Sequence, residues 1–338
     1  MVQFLVYQHD AFRVMRGKVK VNLFFRMFQL CGKFAIFVPM KTIKVAIVGY
    51  GNIGRHALHA LEAAPDMECV GIVRRNPSKE GFPELENYPV VSDIRELGKV
   101  DVAILSTPSR KVEENAVKYL EMGISTVDSF DIHTGIWDLK CTLDAVAAKN
   151  GAVSIISAGW DPGTDSIVRT LLEGMVPQGV TYTNFGPGRS MGHSVAAASK
   201  PGVIKALSMT IPEGKGIHSR QVFVELEEGA DFAAVEKAIK EDPYFVHDVT
   251  MVQQVPSVDA IDTHAHGVKL ERFGISGKTD GQKVEFNMSI NNPALTSQIL
   301  VMAARAATKQ KPGCYTMIEI PVIDYVAGER EALIRKLV

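Results

Sequence analysis

"IKVAIVGYGNIGRHALHALE", Ile43 to Glu62, is the stretch that decides the fold. Val45 to Gly49 reads as a buried strand, and Ala57, Leu58 and Leu61 share one face of a helix. Between them lies G-Y-G-N-I-G, with Gly49, Gly51 and Gly54. Alone, such spacing is a weak signal, because glycines also make ordinary turns. Here the motif follows an apolar strand and opens a helix at the start of a βαβ unit, and that context makes it informative. Gly49 permits the tight turn, Gly51 the close approach of backbone to a pyrophosphate, and Gly54 close packing of helix on strand. The helix N-terminus adds unpaired N–H groups suited to phosphate.

Strand-like and helix-like runs continue to alternate after this unit. "MECVGIV", "DVAILST", "STVDS" and "AVSIIS" read as strands, with helices starting near Lys111 and spanning Leu139 to Lys149. This predicts an α/β fold, a Rossmann-type doubly wound parallel sheet. After Gly159 the texture changes. "VTYTNFG", "KALSMTIP", "RQVFVELE", "GVKLERFGIS" and "KVEFNMSI" alternate their faces with few helices between them. They predict a second α+β domain with a mostly antiparallel open sheet. The expected division is residues 40–158 and 159–299, with a segment from about 300 to 338, including "CYTMIEIPV", packing back on the first domain.

The chain has 338 residues, enough for two domains, and a formal net charge of -1, which gives no long-range pull toward nucleic acid or anionic membranes. Its four cysteines, Cys31, Cys69, Cys141 and Cys314, show no zinc-like spacing, and a reduced cytoplasmic protein is the simplest reading. Residues 1–39 are the odd part, apolar runs interrupted by Arg13, Arg16, Lys18, Lys20, Arg26 and Lys33. A spanning helix needs about 20 apolar residues, and these runs are too broken for one. The segment is expected to lie outside the fold, with "MKTIKVAIVG" from Met40 as the natural start.

The second strand ends in "GIVRRNPS". An NAD-preferring site usually carries an acidic residue there to bond the ribose hydroxyls. Arg74 and Arg75 stand in its place, and guanidinium groups bind a 2′-phosphate through charge-assisted forks. NADP is therefore the expected cofactor. Its expected contacts are Gly49, Tyr50, Gly51, Asn52, Ile53 and Gly54, then Arg74 and Arg75, then Ser106, Thr107 and Pro108 after the "DVAILST" strand.

"GYGNIGR", "VDSFDIH", "SAGWDPG", "FGPGRSMGHS", "IHSRQVFV" and "NNPALTSQ", in this order, resemble the meso-diaminopimelate dehydrogenase family. The resemblance runs from Met40 to the C-terminus. It implies NADP-dependent oxidative deamination of meso-2,6-diaminopimelate at its D-configured centre. The products are L-2-amino-6-oxopimelate, ammonia and NADPH, and the reverse amination serves lysine and peptidoglycan precursor synthesis. It also implies a homodimer whose second domain binds substrate and dimerises.

By the resemblance, Asp131 and Asp161 face the D-centre amine as catalytic carboxylates, with Phe130, Trp160 and Phe185 as apolar walls. Read from residue type alone, both aspartates fit turn or cap roles equally well. The resemblance assigns the D-centre carboxylate to the backbone of Met191 and Gly192, and the distal L-centre to Thr210, Arg220, His266 and Asn292. Any one of these four alone reads as ordinary strand-face or loop polarity. The sequence departs from the family pattern at Phe185, where Trp is usual, and at Met191, where Gln is usual. His264 and His266 form an H-x-H pair with no third ligand nearby, so no metal is expected. His193 reads either as an acid–base group or as a buried histidine bonding its own loop.

Three rival readings have specific requirements. A sugar dehydrogenase of the glucose–fructose oxidoreductase type would carry an E-K-P triplet, absent after "STPSR", and a dihydrodipicolinate reductase would carry a His-rich basic segment, also absent. A non-catalytic NADP sensor would have no reason to combine two aspartates with a distal Arg-His-Thr-Asn set.

Overall fold

In the computed structural model, residues 42–261 and 266–338 are described. Residues 1–39 and His264 lie outside the described residues. Six strands of the first half are β1 (Ile43–Val48), β2 (Met67–Val73), β3 (Val90–Val91), β4 (Val102–Leu105), β5 (Ser125–Asp128) and β6 (Val153–Ile156). A strand near the C-terminus, Gly313–Thr316 (β14 in chain order), joins them in a seven-stranded sheet of order β14-β6-β5-β4-β1-β2-β3. Every pairing in it is parallel.

The period-2 alternation of β1 and β4 explains why helices cover both faces. Val45, Ile47, Val102 and Ile104 point into one core with helix α1 (Asn52–Glu62), while Ala46, Val48, Ala103 and Leu105 point into the other. The second core is closed by α2 (Val112–Leu120) and α3 (Ile136–Lys149). Strand order reverses at β1, which has β2 on one side and β4 on the other. Ligands of such sheets bind outside the carboxyl ends of the strands at this switch point.

The second half differs from a single open sheet. Strand β7 (Gln178–Phe185) pairs with β12 (His266–Ser276), which pairs with β13 (Thr279–Ile290), all antiparallel. A separate sheet has the order β11-β10-β9-β8, with β8 (Gly188–Ser190), β9 (Val203–Gly214), β10 (Ile217–Leu226) and β11 (Val249–Gln254). The chain changes sheets at Gly186, whose φ is 91°. A Cβ there would lie 2.3 Å from the Thr210 carbonyl oxygen, so only glycine fits this corner. The β10–β11 pair is parallel, because helix α6 (Phe232–Lys240) makes the crossover between them. Helices α4 (Thr164–Met175) and α5 (Met191–Ala198) complete this half, and α8 (Arg330–Leu337) closes the chain.

Helix α7 (Asn292–Ala307) ties the two halves together. Ile299, Leu300, Val301, Ala303, Ala304, Ala306 and Ala307 are all buried, so it is apolar nearly all round, the signature of a core helix. Its small residues allow close packing on α1. At its C-terminal end Arg305, almost fully buried, grips Asp66 through two bonds of 2.6 and 2.8 Å and donates to the Tyr325 carbonyl at 3.1 Å. Burial alone would raise the Asp66 carboxyl, but the bonds and charge of Arg305 bring it below the ordinary range. Its contribution to stability is present at neutral pH and is lost as pH falls through that lowered value. Asp66→Ala strands the buried guanidinium and is expected to cost about 3–5 kcal/mol, read from urea unfolding. A loss below about 1 kcal/mol would mark the pair as an ordinary surface bridge.

Candidate active site

The nucleotide end is built by steric necessity. Gly49 has a φ of 89°, and a Cβ there would sit 2.6 Å from the Ser106 carbonyl oxygen. A Cβ on Gly54 would sit 2.5 Å from the Gly49 carbonyl oxygen. Gly51 differs, since a Cβ there would meet nothing within 4 Å. Its neighbouring space is open, as the approach of a phosphate requires. No side chain caps the start of α1, which leaves its first N–H groups free for an anion. The Ser106 and Thr107 hydroxyls are buried without a partner, two polar atoms that a bound dinucleotide would satisfy. Arg74 lies over the Phe82 ring at 4.6 Å and donates to the Ser78 carbonyl at 2.7 Å, while Arg75 and Pro108 are exposed. Tyr50 is buried, with its hydroxyl 3.3 Å from the Glu84 carboxylate. These groups fit a dinucleotide with a 2′-phosphate.

One cavity at the carboxyl ends of the parallel strands gathers residues from four elements. Asn52 and Ile53 come from the glycine turn, Ser129 and Asp131 from the loop after β5, and Gly159 to Pro162 from the loop after β6. Asn292, Pro293 and Thr296 come from the start of α7. Ser297 bonds the Ile53 carbonyl at 2.8 Å, so α7 is fastened to the glycine turn. Asp131 is exposed and accepts a 2.6 Å bond from Ser109. Asp161 is only 11% exposed and lies 3.5 Å from Arg169.

Two carboxylates outside the expected set shape this cavity. Asp128, the last residue of β5, is fully buried, and its Oδ1 accepts from Phe130 N at 2.9 Å and Ser157 N at 3.1 Å. Its carbonyl accepts from Ala158 N at 2.7 Å. It therefore ties the Asp131 loop to the Trp160–Asp161 loop, and burial pushes its carboxyl up to about 7 against the pull of those two N–H groups. Asp165 lies behind Asp161 in the first turn of α4 and bonds Arg169 at 2.7 Å. The signal for Asp165 was in the spacing, since Asp161, Asp165 and Arg169 recur every four residues.

A second cluster lies across an aromatic wall. Trp160 meets His266 edge-on at 5.0 Å and Phe185 at 6.2 Å, and Phe185 meets His218 at 6.3 Å. Phe130 is buried against the opposite face of the sheet with α3. Arg220 is almost fully buried, because β10 pairs it opposite Thr210 on β9. Its Nε donates to Asp248 at 2.6 Å, and its two terminal nitrogens meet the Thr210 hydroxyl and, at 2.9 Å, His218. Asp248 and His218 were not singled out from sequence, where a loop Asp and a strand His carry no distinguishing pattern. Burial, then the Arg220 charge, lowers His266 to about 4, so it is a neutral donor at pH 7, and its Nδ1 is buried without a partner. His193 is lowered to about 4 by burial first and by Arg220 next.

His193 bonds Ser190 at 2.9 Å and packs edge-on against Tyr244 and Phe245 at 5.3 and 5.1 Å. This places the start of α5, with Met191 and Gly192, on the Arg220 side. Asn292 lines the Asp131–Asp161 cavity and accepts from Thr296 at 2.9 Å. Among the described residues no cluster of three or more His, Cys, Asp or Glu could hold a metal, and no helix is long and apolar enough to cross a membrane.

Comparison with known proteins sharpens this geometry. The family model "Diaminopimelic acid dehydrogenase C-terminal domain" matches residues 159–292, and "Oxidoreductase family, NAD-binding Rossmann fold" matches residues 43–127. The chain is 62% identical over 299 residues to the meso-diaminopimelate D-dehydrogenase of Bacteroides fragilis, covering 88% of this chain and 100% of that one. Among solved structures it resembles C. glutamicum DAP dehydrogenase in complex with DAP, with a TM-score of 0.80 and 30% identity over 88% of this chain and 100% of that one. It also resembles an engineered D-amino acid dehydrogenase bound to NADP+, with a TM-score of 0.75 and 29% identity over the same shares. The C-terminal match belongs to none of the rival enzyme classes.

The glycines predict separable outcomes. Gly51→Ala should keep the parental melting temperature and weaken NADP+ by roughly 10-fold or more, by placing a methyl where the phosphate approaches. Gly49→Ala should lower the melting temperature, because the residue must hold a positive φ against a neighbouring carbonyl. Calorimetry of both variants with and without NADP+ checks this; unchanged affinity in Gly51→Ala would remove that glycine from the phosphate site.

Proposed function

This chain belongs to the meso-diaminopimelate D-dehydrogenase family, and on that premise we propose how its residues carry out NADP-dependent oxidative deamination of meso-2,6-diaminopimelate at the D-centre. The products are L-2-amino-6-oxopimelate, ammonia and NADPH, and the reaction runs in reverse as a reductive amination. The observation that supports the assignment best is the single cavity where the glycine turn, Asp131, Asp161 and Asn292 meet.

Bound NADP+ supplies the hydride acceptor. The chain's own residues must do the rest. The D-centre ammonium carries a proton that has to leave before the nitrogen lone pair can assist loss of hydride from carbon. In our reading Asp161 takes that proton, and Asp131, held by Ser109, keeps the ammonium in place by its charge. Trp160 and Phe185 form the apolar wall between the reacting end and the distal end. Arg220 binds the distal carboxylate through its remaining terminal N–H groups, with its plane held by Asp248, Thr210 and His218. A neutral His266 adds a further donor.

The division into a cofactor domain (residues 40–158, with about 300–338 packed back) and a substrate and dimerisation domain (159–299) belongs to the same proposal, as does a cytoplasmic homodimer. Exposed apolar side chains at the sheet edge, Val249 at 73% and Met251 at 56% exposure on β11, support a subunit contact there. A panel of D-, L- and meso-amino acids with NADP+ and NAD+ tests the whole reading. NADPH formation with meso-diaminopimelate is the expected result, and NADP+ binding without turnover of any amino acid would overturn it.

Two substitutions separate the ends of the substrate. Asp161→Asn should lower kcat for deamination by about 10²–10⁴ while leaving NADP+ affinity nearly unchanged, as loss of a general base does. Asp131→Asn should raise KM for the diamine. Parental kcat in both variants between about pH 7 and pH 10, well above ordinary carboxylate values, would assign the proton to another group.

Arg220→Ala should raise KM for meso-diaminopimelate by roughly 10- to 100-fold, as expected for a charged hydrogen bond. Simple D-amino acids, which lack the distal carboxylate, should be poor substrates of both proteins and change little. Equal loss for them would place Arg220 at the reacting centre.

A further inference from the structure

We propose that Asp165, buried behind Asp161 and gripping the same arginine, is a positioning residue that sets how tightly Asp161 holds a proton during the reaction. The inference rests on the reading of Asp161 as proton acceptor and deepens it.

The geometry begins with the loop after β6. Thr164 N bonds the Gly159 carbonyl at 3.0 Å and Asp165 N bonds the Trp160 carbonyl at 3.0 Å, so the first turn of α4 is laced to the segment carrying Trp160 and Asp161. Gly163 N adds a bond to Ser166 Oγ at 3.2 Å. The Asp165 side chain has no exposure, whereas that of Asp161 is 11% exposed and lines the cavity. One Arg169 nitrogen lies 2.7 Å from Asp165 and 3.5 Å from Asp161. Two carboxyls thus share one guanidinium, Asp165 at close hydrogen-bond distance and Asp161 farther off.

Charge counting then fixes the behaviour of the pair. Two ionised carboxylates beside one cation leave an excess negative charge in a place shielded from water. Burial first, and then Asp161 as a like charge and hydrogen-bond partner, push the Asp165 carboxyl up to about 7, with Arg169 opposing. Other charges on α4 and the elements packed against it have partners of their own, Lys269 and Glu271 of β12 pairing with each other at 2.8 Å. Glu319, in the turn Met317–Glu319, pairs with Lys140 at 3.2 Å, and Arg272 of β12 pairs with Glu173 at 2.6 Å. Below neutrality Asp165 holds a proton, and once that proton leaves its carboxylate places a second negative charge beside Asp161.

This suits the demand on Asp161. In deamination an N–H bond of the substrate ammonium breaks and an O–H bond forms on the Asp161 carboxylate; the proton is then shared with Asp165 and leaves to water from the cavity side. A lone carboxylate near its ordinary value of about 4 is a poor acceptor from an ammonium, and a fully ionised pair is a stronger one.

The test is the pH dependence of kcat and KM for meso-diaminopimelate with saturating NADP+, in the parent, Asp165→Asn, Asp165→Ser, Asp165→Glu and Asp161→Asn. Parental kcat should rise through an ionisation near pH 7. In the two neutral variants the midpoint should fall by at least about one unit, and the plateau should drop roughly 10-fold as a weaker base acts. KM and the NADP+ dissociation constant should stay put, and Asp165→Glu should restore the midpoint. Asp165→Ser decides the matter if the Asn variant fails to fold, since it replaces the carboxylate by a smaller group. A parental midpoint in a folded neutral variant, whatever its rate, would make Asp165 merely structural and overturn the proposal. Parental kcat in Asp161→Asn would instead remove the proton-acceptor assignment beneath it, a result distinguishable from the first.

Discussion

The buried carboxylate of Asp128 is the constraint on which the cavity depends. Its Oδ1 receives N–H groups from Phe130 and Ser157, and its carbonyl receives that of Ala158. Two adjacent strands of the parallel sheet therefore end in loops that cannot move independently. One loop carries Asp131 and the other carries Trp160 and Asp161. A carboxyl with no exposure is costly to ionise, which is why it is raised to about 7, and backbone donors offset that cost only in part. The return is a fixed separation between Asp131 on one loop and Asp161 on the other, both lining the cavity.

Around this clamp the remaining parts are fastened by contacts of different kinds. Steric exclusion places the glycine turn, because Gly49 and Gly54 lie too close to neighbouring carbonyls to carry side chains. Helix burial places Asn292 and Thr296, since α7 is apolar on nearly every face and Ser297 bonds the turn itself. Cross-strand pairing places Arg220 opposite Thr210, with Asp248 and His218 completing its ring of partners. The Asp131–Asp161 cavity thus sits on the rigid edge of a parallel sheet, while the Arg220 cluster sits on a separate, mostly antiparallel one.

The electrostatics of the two ends are opposite in design. Carboxylates dominate one end, where Asp131 and Asp161 line the cavity and Asp161 and Asp165 share Arg169. At the other end Arg220 is surrounded by His193, His218 and His266, all lowered by burial and by its charge, so the imidazoles stay neutral at pH 7. A zwitterionic diamine needs such a division, because each end offers both an ammonium and a carboxylate, and orientation must come from unequal fields.

Much of this was legible in the chain before folding. "VAIV" followed by Gly49, Gly51 and Gly54 dictates a strand, a tight turn and a helix, because the steric limits on glycine act within a few residues. The alternation of strands with helices dictates a parallel sheet for the same local reason, and ordered motifs such as "GWDPG" point to the family. What a linear reading could not supply is the third dimension of neighbours. Asp128 and Asp165 look like a strand-end residue and a helix-start residue until their burial is known. Gly186 looks like a turn until a Cβ there is seen to collide with Thr210, which splits the second half into two sheets. Arg220 reads as one polar residue on a strand. Only tertiary pairing surrounds it with Asp248, Thr210 and His218, because the energy of a charge depends on what lies within a few ångströms in space and not on what lies beside it in the chain.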